Sequence, residues 1–351
     1  MIGRILQLSV RGRWLVACLT LLVVAFGAWQ ITKLPIDAVP DVTNRQVQIS
    51  TFAPTLGPVD IEKQVTFPVE TALAGIPGLQ MTRSFSRNGF SQVTAVFEDT
   101  TDIYFARQQV TERLAQAKDS LPAGIQPNLA PLSTGLGEIF FYSVAFRHPD
   151  GKGGAEHTDG KPGWQSNGSY LTPEGERLTT ELAKAAYLRT VQDWIIRPQM
   201  RNVKGVAGVD SNGGYVKQYL VEPNLNALST YGLSITDLAD ALEKANLSAG
   251  SNYVRRAGES FLVRADARLR SIDEIEQAVV ATRAGVPVRV KDVGQVVIGG
   301  AVRTGSGSRM GSEAVISTVL MLVGENSRIV ANSAAERLTE INKALPPDVF
   351  A

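Results

Sequence analysis

Hydrophobic positions divide the chain into an apolar head and a long patterned body. Residues 14–32, from Trp14 to Thr32, carry no charge. At 1.5 Å per residue such a run spans the ~30 Å hydrocarbon core of a bilayer as a helix. Beyond it the pattern changes. Val47 and Ile49 alternate with polar neighbours and predict a strand over 45–51. An amphipathic helix over 58–74 ends at the breaker Gly75-Ile76-Pro77-Gly78. Strands over 79–86 and 91–98 meet through Asn88-Gly89, a tight-turn pair. A helix over 102–120 places Ala106, Val110, Leu114, Ala117 and Leu121 on one face, Pro122 stops it, and a strand follows near 125–131. The resulting order, β-α-β-β-α-β, is the split βαβ or ferredoxin-like unit of an α+β fold.

The unit recurs. Glu112-Arg113-Leu114 returns as Glu336-Arg337-Leu338 and Leu121-Pro122 as Leu345-Pro346, both displaced by 224 residues. The same displacement carries the helical stripe onto Val330, Ala334, Leu338, Ile341 and Leu345, and strand 91–98 onto 315–322. The front of the unit repeats at 127 instead, with Gly78 matching Gly205. The difference, 97 residues, places an insertion in the second copy somewhere between about 212 and 314. Its pattern holds helices at 224–231, 234–246 and 271–281 and strands at 216–222, 251–265 and 286–298, a small body rather than a loop. Residues 148–175, rich in Gly, Pro and polar side chains, read as an exposed, mobile loop.

Composition narrows the function classes. Thirty-five basic residues against 34 acidic ones give a net charge of +1, which excludes nucleic-acid binding by bulk charge. One Cys excludes an internal disulfide framework and Cys-based zinc sites, and two His argue against histidine-rich metal ligation and Ser-His-Asp catalysis. No phosphate-binding loop, dinucleotide fingerprint or nucleophile elbow is present, so the residues give no support to an enzyme. Around the apolar head, Arg4, Arg11 and Arg13 precede it and Lys33, Asp37 and Asp41 follow. The positive-inside bias then keeps the N-terminus cytoplasmic and translocates the body. A cleaved signal peptide ending at Ala25-Phe26-Gly27 is the rival, although the run continues past that site. Cys18 lies inside the run as a small apolar residue.

Candidate chemistry rests on a few carboxylates. Glu138 follows Ser133-Thr134-Gly135-Leu136-Gly137 and opens an apolar stretch, so it is either a surface rim residue or an oxygen ligand in a cleft. Asp193 lies on an amphipathic helix, where pairing with Arg197 four residues on is the plainer explanation and metal ligation the sharper one. His148, Asp150, His157 and Asp159 form a further candidate cation site, set against the plainer reading of a solvated loop. Oxygen and water ligands suit weak, exchangeable binding of divalent cations.

The head followed by Leu34-Pro35-Ile36-Asp37-Ala38-Val39-Pro40-Asp41 resembles the start of the heavy-metal efflux branch of the resistance-nodulation-division transporters. So do Glu62-Lys63-Gln64-Val65-Thr66-Phe67-Pro68, Ser84-Phe85-Ser86-Arg87, Ser133-Thr134-Gly135-Leu136-Gly137-Glu138-Ile139, Gln192-Asp193-Trp194 and Gly213-Gly214-Tyr215-Val216-Lys217-Gln218-Tyr219. The resemblance implies a first transmembrane helix (1–34) and a first porter subdomain (35–132). It implies a second porter subdomain in two parts, 133–212 and 276–351, interrupted by an inserted α/β docking subdomain at 213–275. It further implies a homotrimer in a bacterial inner membrane, joined to a periplasmic adaptor and an outer-membrane channel and contacting membrane lipid, with no nucleic-acid partner.

Such a pump exchanges protons for zinc, cobalt or cadmium and carries no cofactor. Glu138 and Asp193 become candidate ligands of its porter cleft. Full-length members carry about a dozen membrane helices, so a chain ending at Ala351 reads as an N-terminal part that does not transport alone. Two rival readings are a pump for organic amphiphiles and a non-transporting anchored periplasmic module.

Overall fold

The structure, a computed structural model, describes residues 10–31, 43–148, 156–157, 160–246, 248–256, 259–266, 268–283, 285–303 and 305–351. The apolar head is helix α1 (Arg13–Ile31), and none of its residues is buried against the rest of the chain. The body has three separate hydrophobic cores, one for each folding unit.

The first unit follows the order read from the sequence. Strand β1 (Gln46–Phe52) leads to α2 (Pro58–Ile61), a π-helical turn (Glu62–Thr66) and α3 (Phe67–Leu73). Then come β2 (Leu79–Arg87), β3 (Phe90–Phe97), α4 (Ile103–Ala117) and β4 (Pro127–Leu129). The sheet order is β2-β3-β1-β4. Helix α4 starts where the Asp102 side chain accepts from the Phe105 N–H, satisfying one of the free donors of a helix end. The predicted stripe Ala106, Val110, Leu114 and Ala117 is its buried face. It meets Val47, Ile49, Val93 and Ala95, the inward alternating positions of the sheet.

The second unit repeats this topology. Strand β5 (Glu138–Phe146) precedes four short strands: β6 (Glu156–His157), β7 (Gly163–Gln165), β8 (Tyr170–Leu171) and β9 (Arg177–Leu178). Helix α5 (Glu181–Val191), a second π turn (Gln192–Ile196) and α6 (Arg197–Arg201) lead to β10 (Val206–Asn212). The chain returns from the insertion through β19 (Val315–Met321), α11 (Ser327–Asn342) and β20 (Val349–Phe350), and the sheet order is β10-β19-β5-β20. Helices α4 and α11 begin at 103 and 327, the same displacement of 224 read from the sequence. Val330, Ala334, Leu338 and Ile341 are again the buried face.

Two sequence expectations need correction. The stretch 148–175 is not simply an exposed loop, because β6–β9 form a sheet of their own. Trp164, Tyr170 and Leu178 from that sheet are buried in the second core. Trp164 Nε1 donates to the Arg147 carbonyl at 2.7 Å and the Tyr170 hydroxyl to the Pro347 carbonyl at 2.5 Å, so both aromatic rings bury their polar ends satisfied. The second correction concerns the strand expected at 251–265, which is a hairpin of β12 (Ser248–Arg256) and β13 (Glu259–Asp266).

The third core joins residues on both sides of that hairpin. Leu228 and Leu238 come from α7 (Leu225–Thr230) and α8 (Ile235–Ala245), and Ile275 from α9 (Ile272–Gln277). Val288 comes from β15 (Val286–Arg289), which pairs with β14 (Val279–Arg283). Val290 and Val293 belong to α10 (Val290–Val293) and Val296 to β16 (Gly294–Gly300), the partner of β11 (Lys217–Pro223). The boundary placed at 275 therefore falls inside this cluster. A small hairpin, β17 (Ser308–Arg309) with β18 (Ser312–Glu313), follows before β19. At the neck between the units Gly213 and Gly214 have φ of 85° and 64°. A Cβ on Gly213 would stand 2.6 Å from the Ala314 carbonyl, so only glycine fits there.

Candidate functional site

Asp193 and Glu138 sit on opposite sides of the second unit. Asp193 is in the π turn between α5 and α6. Pro198 has no N–H, and a proline inside a helix collides with the carbonyl four residues back. The chain resolves this by widening, and the Arg197 N–H bonds the Gln192 carbonyl, five residues back. The first unit does the same before Pro68, where the Phe67 N–H bonds the Glu62 carbonyl.

The Asp193 carboxylate is held on both sides. Arg189 Nε donates to Oδ2 at 2.7 Å, and Arg197 Nη1 stands 3.2 Å from Oδ1. The predicted pairing with Arg197 is present, and Arg189, one turn earlier at the same spacing, is the partner that sequence reasoning missed. Arg189 also donates to the Gly213 carbonyl at 3.0 Å, which ties the turn to the neck of the insertion. Trp194 projects beside this clamp and is 79% exposed. Together with Val216, Lys217, Tyr219 and Ile298 it lines a cleft of about 280 Å³ between the second unit and the inserted one.

Beneath the turn lies a buried polar row. Gln192 is fully buried, and its amide donates to the Tyr142 hydroxyl and to Ser211 Oγ, each at 3.0 Å. Ser317 Oγ bonds Ser211 Oγ at 3.3 Å. Ser211, Ser317 and Tyr142 are register partners across β10, β19 and β5. Burial pushes the Tyr142 phenol pKa up from its ordinary value. The signal available in the sequence was two serines at inward strand positions that otherwise hold valines, Val209 and Val319.

Glu138 opens β5 on the outer face of the same sheet. It pairs with Leu320 across a β-bulge and is exposed. Asp210, Thr318 and Phe141 form the adjoining row on this face, and Phe141 is 59% exposed. The backbone leaves little room before Glu138, because a Cβ on Gly137 would stand 3.1 and 3.2 Å from the Thr134 and Met321 carbonyls and would displace the Ser133 hydroxyl. Glu138 does not line the Trp194 cleft, so the structure does not bring the two predicted carboxylates into one site.

Of the candidate histidine site, only His148 and His157 lie among the described residues. The His148 and Trp164 rings meet at a tilt with centroids 4.8 Å apart, and His157 Nε2 stands 4.0 Å from Asp348 Oδ2. Asp150 and Asp159 lie outside the described residues. Among the described residues no three His, Cys, Asp or Glu side chains are grouped to hold a metal ion.

The sequence profile of the AcrB/AcrD/AcrF family matches residues 5–351. The chain belongs to this family. It is a family of resistance-nodulation-division efflux transporters, the group that the motifs resembled. The chain is 59% identical over 349 residues to the nickel-cobalt-cadmium resistance protein NccA of Alcaligenes xylosoxydans xylosoxydans, covering 99% of this chain and 32% of NccA. It is 57% identical to the nickel and cobalt resistance protein CnrA of Cupriavidus metallidurans, with the same coverage. The cobalt-zinc-cadmium resistance protein CzcA of C. metallidurans, whose motifs the sequence resembled, is 44% identical. An X-ray structure of a heavy metal efflux pump superposes with a TM-score of 0.78 at 28% identity, covering 99% of this chain and 31% of that one. The chain thus spans about a third of the length of the relatives it matches.

Proposed function

We propose that this chain is the N-terminal anchor and porter part of an inner-membrane pump that exports divalent heavy-metal cations. The observation that carries the reading is the likeness to heavy-metal resistance proteins and to a heavy metal efflux pump along almost the whole chain. Helix α1 is the first membrane span, with the N-terminus cytoplasmic and the body periplasmic. The two repeated α/β units are ferredoxin-like porter subdomains. The inserted unit is the docking subdomain, and its shared core extends it to about Gly300. The pump is a homotrimer driven by protons and works with a periplasmic adaptor and an outer-membrane channel. Cobalt, nickel, cadmium and zinc are the cargo class, since relatives bear those names and carboxylates suit such ions.

Within this reading Glu138 is the leading cargo ligand, because its carboxylate is exposed on an open sheet face. Asp193, clamped by Arg189 and Arg197, holds the turn in this reading rather than the cargo. The test expresses the pump containing this chain in an efflux-deficient strain and measures cell-associated metal. Export of cobalt and nickel is expected, with a several-fold loss in Glu138→Gln at equal protein level. Unchanged metal content together with new tolerance to hydrophobic dyes would instead establish the amphiphile pump. No export of either class would favour the anchored, non-transporting module.

A further inference from the structure

Both repeats seat their π turn on a polar sheet row, although at different positions of the turn and strands. In the first unit Thr66, in the π turn, bonds Ser86 Oγ at 2.8 Å and Ser91 Oγ at 2.7 Å. Ser86 and Ser91 are register partners, and Thr51 on β1 continues their row. In the second unit Gln192, at the start of the equivalent turn, bonds Tyr142 and Ser211, and Ser317 completes their row by bonding Ser211. Helices normally seat on sheets through apolar side chains, and a buried polar group without a partner costs about 1–3 kcal/mol. A helix seated at its widened turn on a hydrogen-bonded row is held by groups that can exchange partners, as close-packed methyl groups cannot.

We propose that Gln192 is a positioning residue that couples the π turn bearing Asp193 and Trp194 to the sheet face bearing Glu138. Every inward member of the row has an outward neighbour: Ser211 adjoins Asp210, Ser317 adjoins Thr318, and Tyr142 adjoins Phe141. Those neighbours form the outer-face row next to Glu138 and Leu320. A shift of the three strands relative to one another therefore moves the Gln192 amide, and with it the turn. Asp193 and Trp194 are the next residues in that turn, and Arg189 and Arg197 transmit its position to the neck and to Ser211, from which Arg197 Nη2 stands 3.4 Å. The turn is the element able to change register, since π-helical segments are local widenings that recur at functional sites.

The consequence for cation export rests on the function proposed above, but the coupling itself can be measured without a metal. The full chain is labelled with 5-fluorotryptophan in detergent micelles, and the Trp194 fluorine resonance is assigned with Trp194→Phe. Phe141→Ala perturbs the outer face. It is expected to shift the Trp194 resonance in the otherwise unaltered chain, and the shift is expected to vanish when Gln192→Leu is also present. Ser211→Ala, a smaller change, removes the contacts of Gln192, Ser317 and Arg197 to β10 and should reduce the shift while leaving the circular-dichroism melt in place. An equal shift with and without Gln192, or no shift in any background, overturns the proposal. A pump that exports no metal while the coupling persists overturns only the function.

Discussion

Asp193 and Glu138 carry the same functional group in opposite surroundings. Glu138 faces solvent from an open sheet, whereas both oxygens of Asp193 face guanidiniums from one turn before and one turn after. Removing one partner of a buried ion pair leaves the others uncompensated, which costs several kcal/mol in a dry interior and much less at a surface. Asp193 and both arginines are partly exposed, so Asp193→Asn should destabilise the chain by about 1–3 kcal/mol in urea unfolding. Metal selectivity of the proposed pump should be unaltered, with any fall in resistance following protein abundance. A changed order of preference among cobalt, nickel, cadmium and zinc would make Asp193 a ligand after all. Sequence spacing revealed half of this clamp. Arg197 stands at the predicted spacing, and Arg189 at the mirror spacing completes the clamp.

At the scale of elements, the sheet of β6–β9 joins the second core through aromatic rings. Burial raises the phenol pKa values of Tyr142, Tyr170 and Tyr187 above their ordinary value, most strongly for Tyr170 and Tyr187. A pKa raised on folding means that the folded state holds its proton more tightly. The stability these groups contribute is fully present below the unfolded phenol pKa of ~10 and is lost as pH rises beyond it. Absorbance at 295 nm followed together with circular dichroism should show these three phenols ionising only as the fold is lost. Reversible ionisation of all the tyrosines with the spectrum intact would disprove their burial.

The same elements show what periodicity can reveal. Helices α4 and α11 have four buried positions each, a stripe long enough to count. Strands β6, β8 and β9 are two residues long and have no period to detect. Only Trp164 and Tyr170, large apolar rings in polar surroundings, signalled that the stretch was anchored. The inserted unit was legible as an insertion but not in its extent, because its core closes through pairing of β11 with β16, about 80 residues apart.

For the whole molecule, three cores account for the body and none of them uses α1. The helix displays Leu15, Leu21, Leu22 and Val23 on all sides and is long and apolar enough to cross a membrane. The rival reading, a signal peptide cut after Gly27, differs in one countable respect. Cys18 is the only cysteine of the chain, and it lies in α1, upstream of that site. A retained helix leaves one thiol per polypeptide, whereas cleavage leaves none. In intact membranes Cys18 should resist a membrane-impermeant maleimide, because it lies five residues into the span from Arg13, roughly 7.5 Å along the axis. After solubilisation in sodium dodecyl sulfate the same reagent should label one thiol per chain, read by mass spectrometry of the purified protein. Zero label with an intact body would show a cleaved leader and remove the anchor from the proposed pump. One label already accessible before solubilisation would place α1 outside the bilayer.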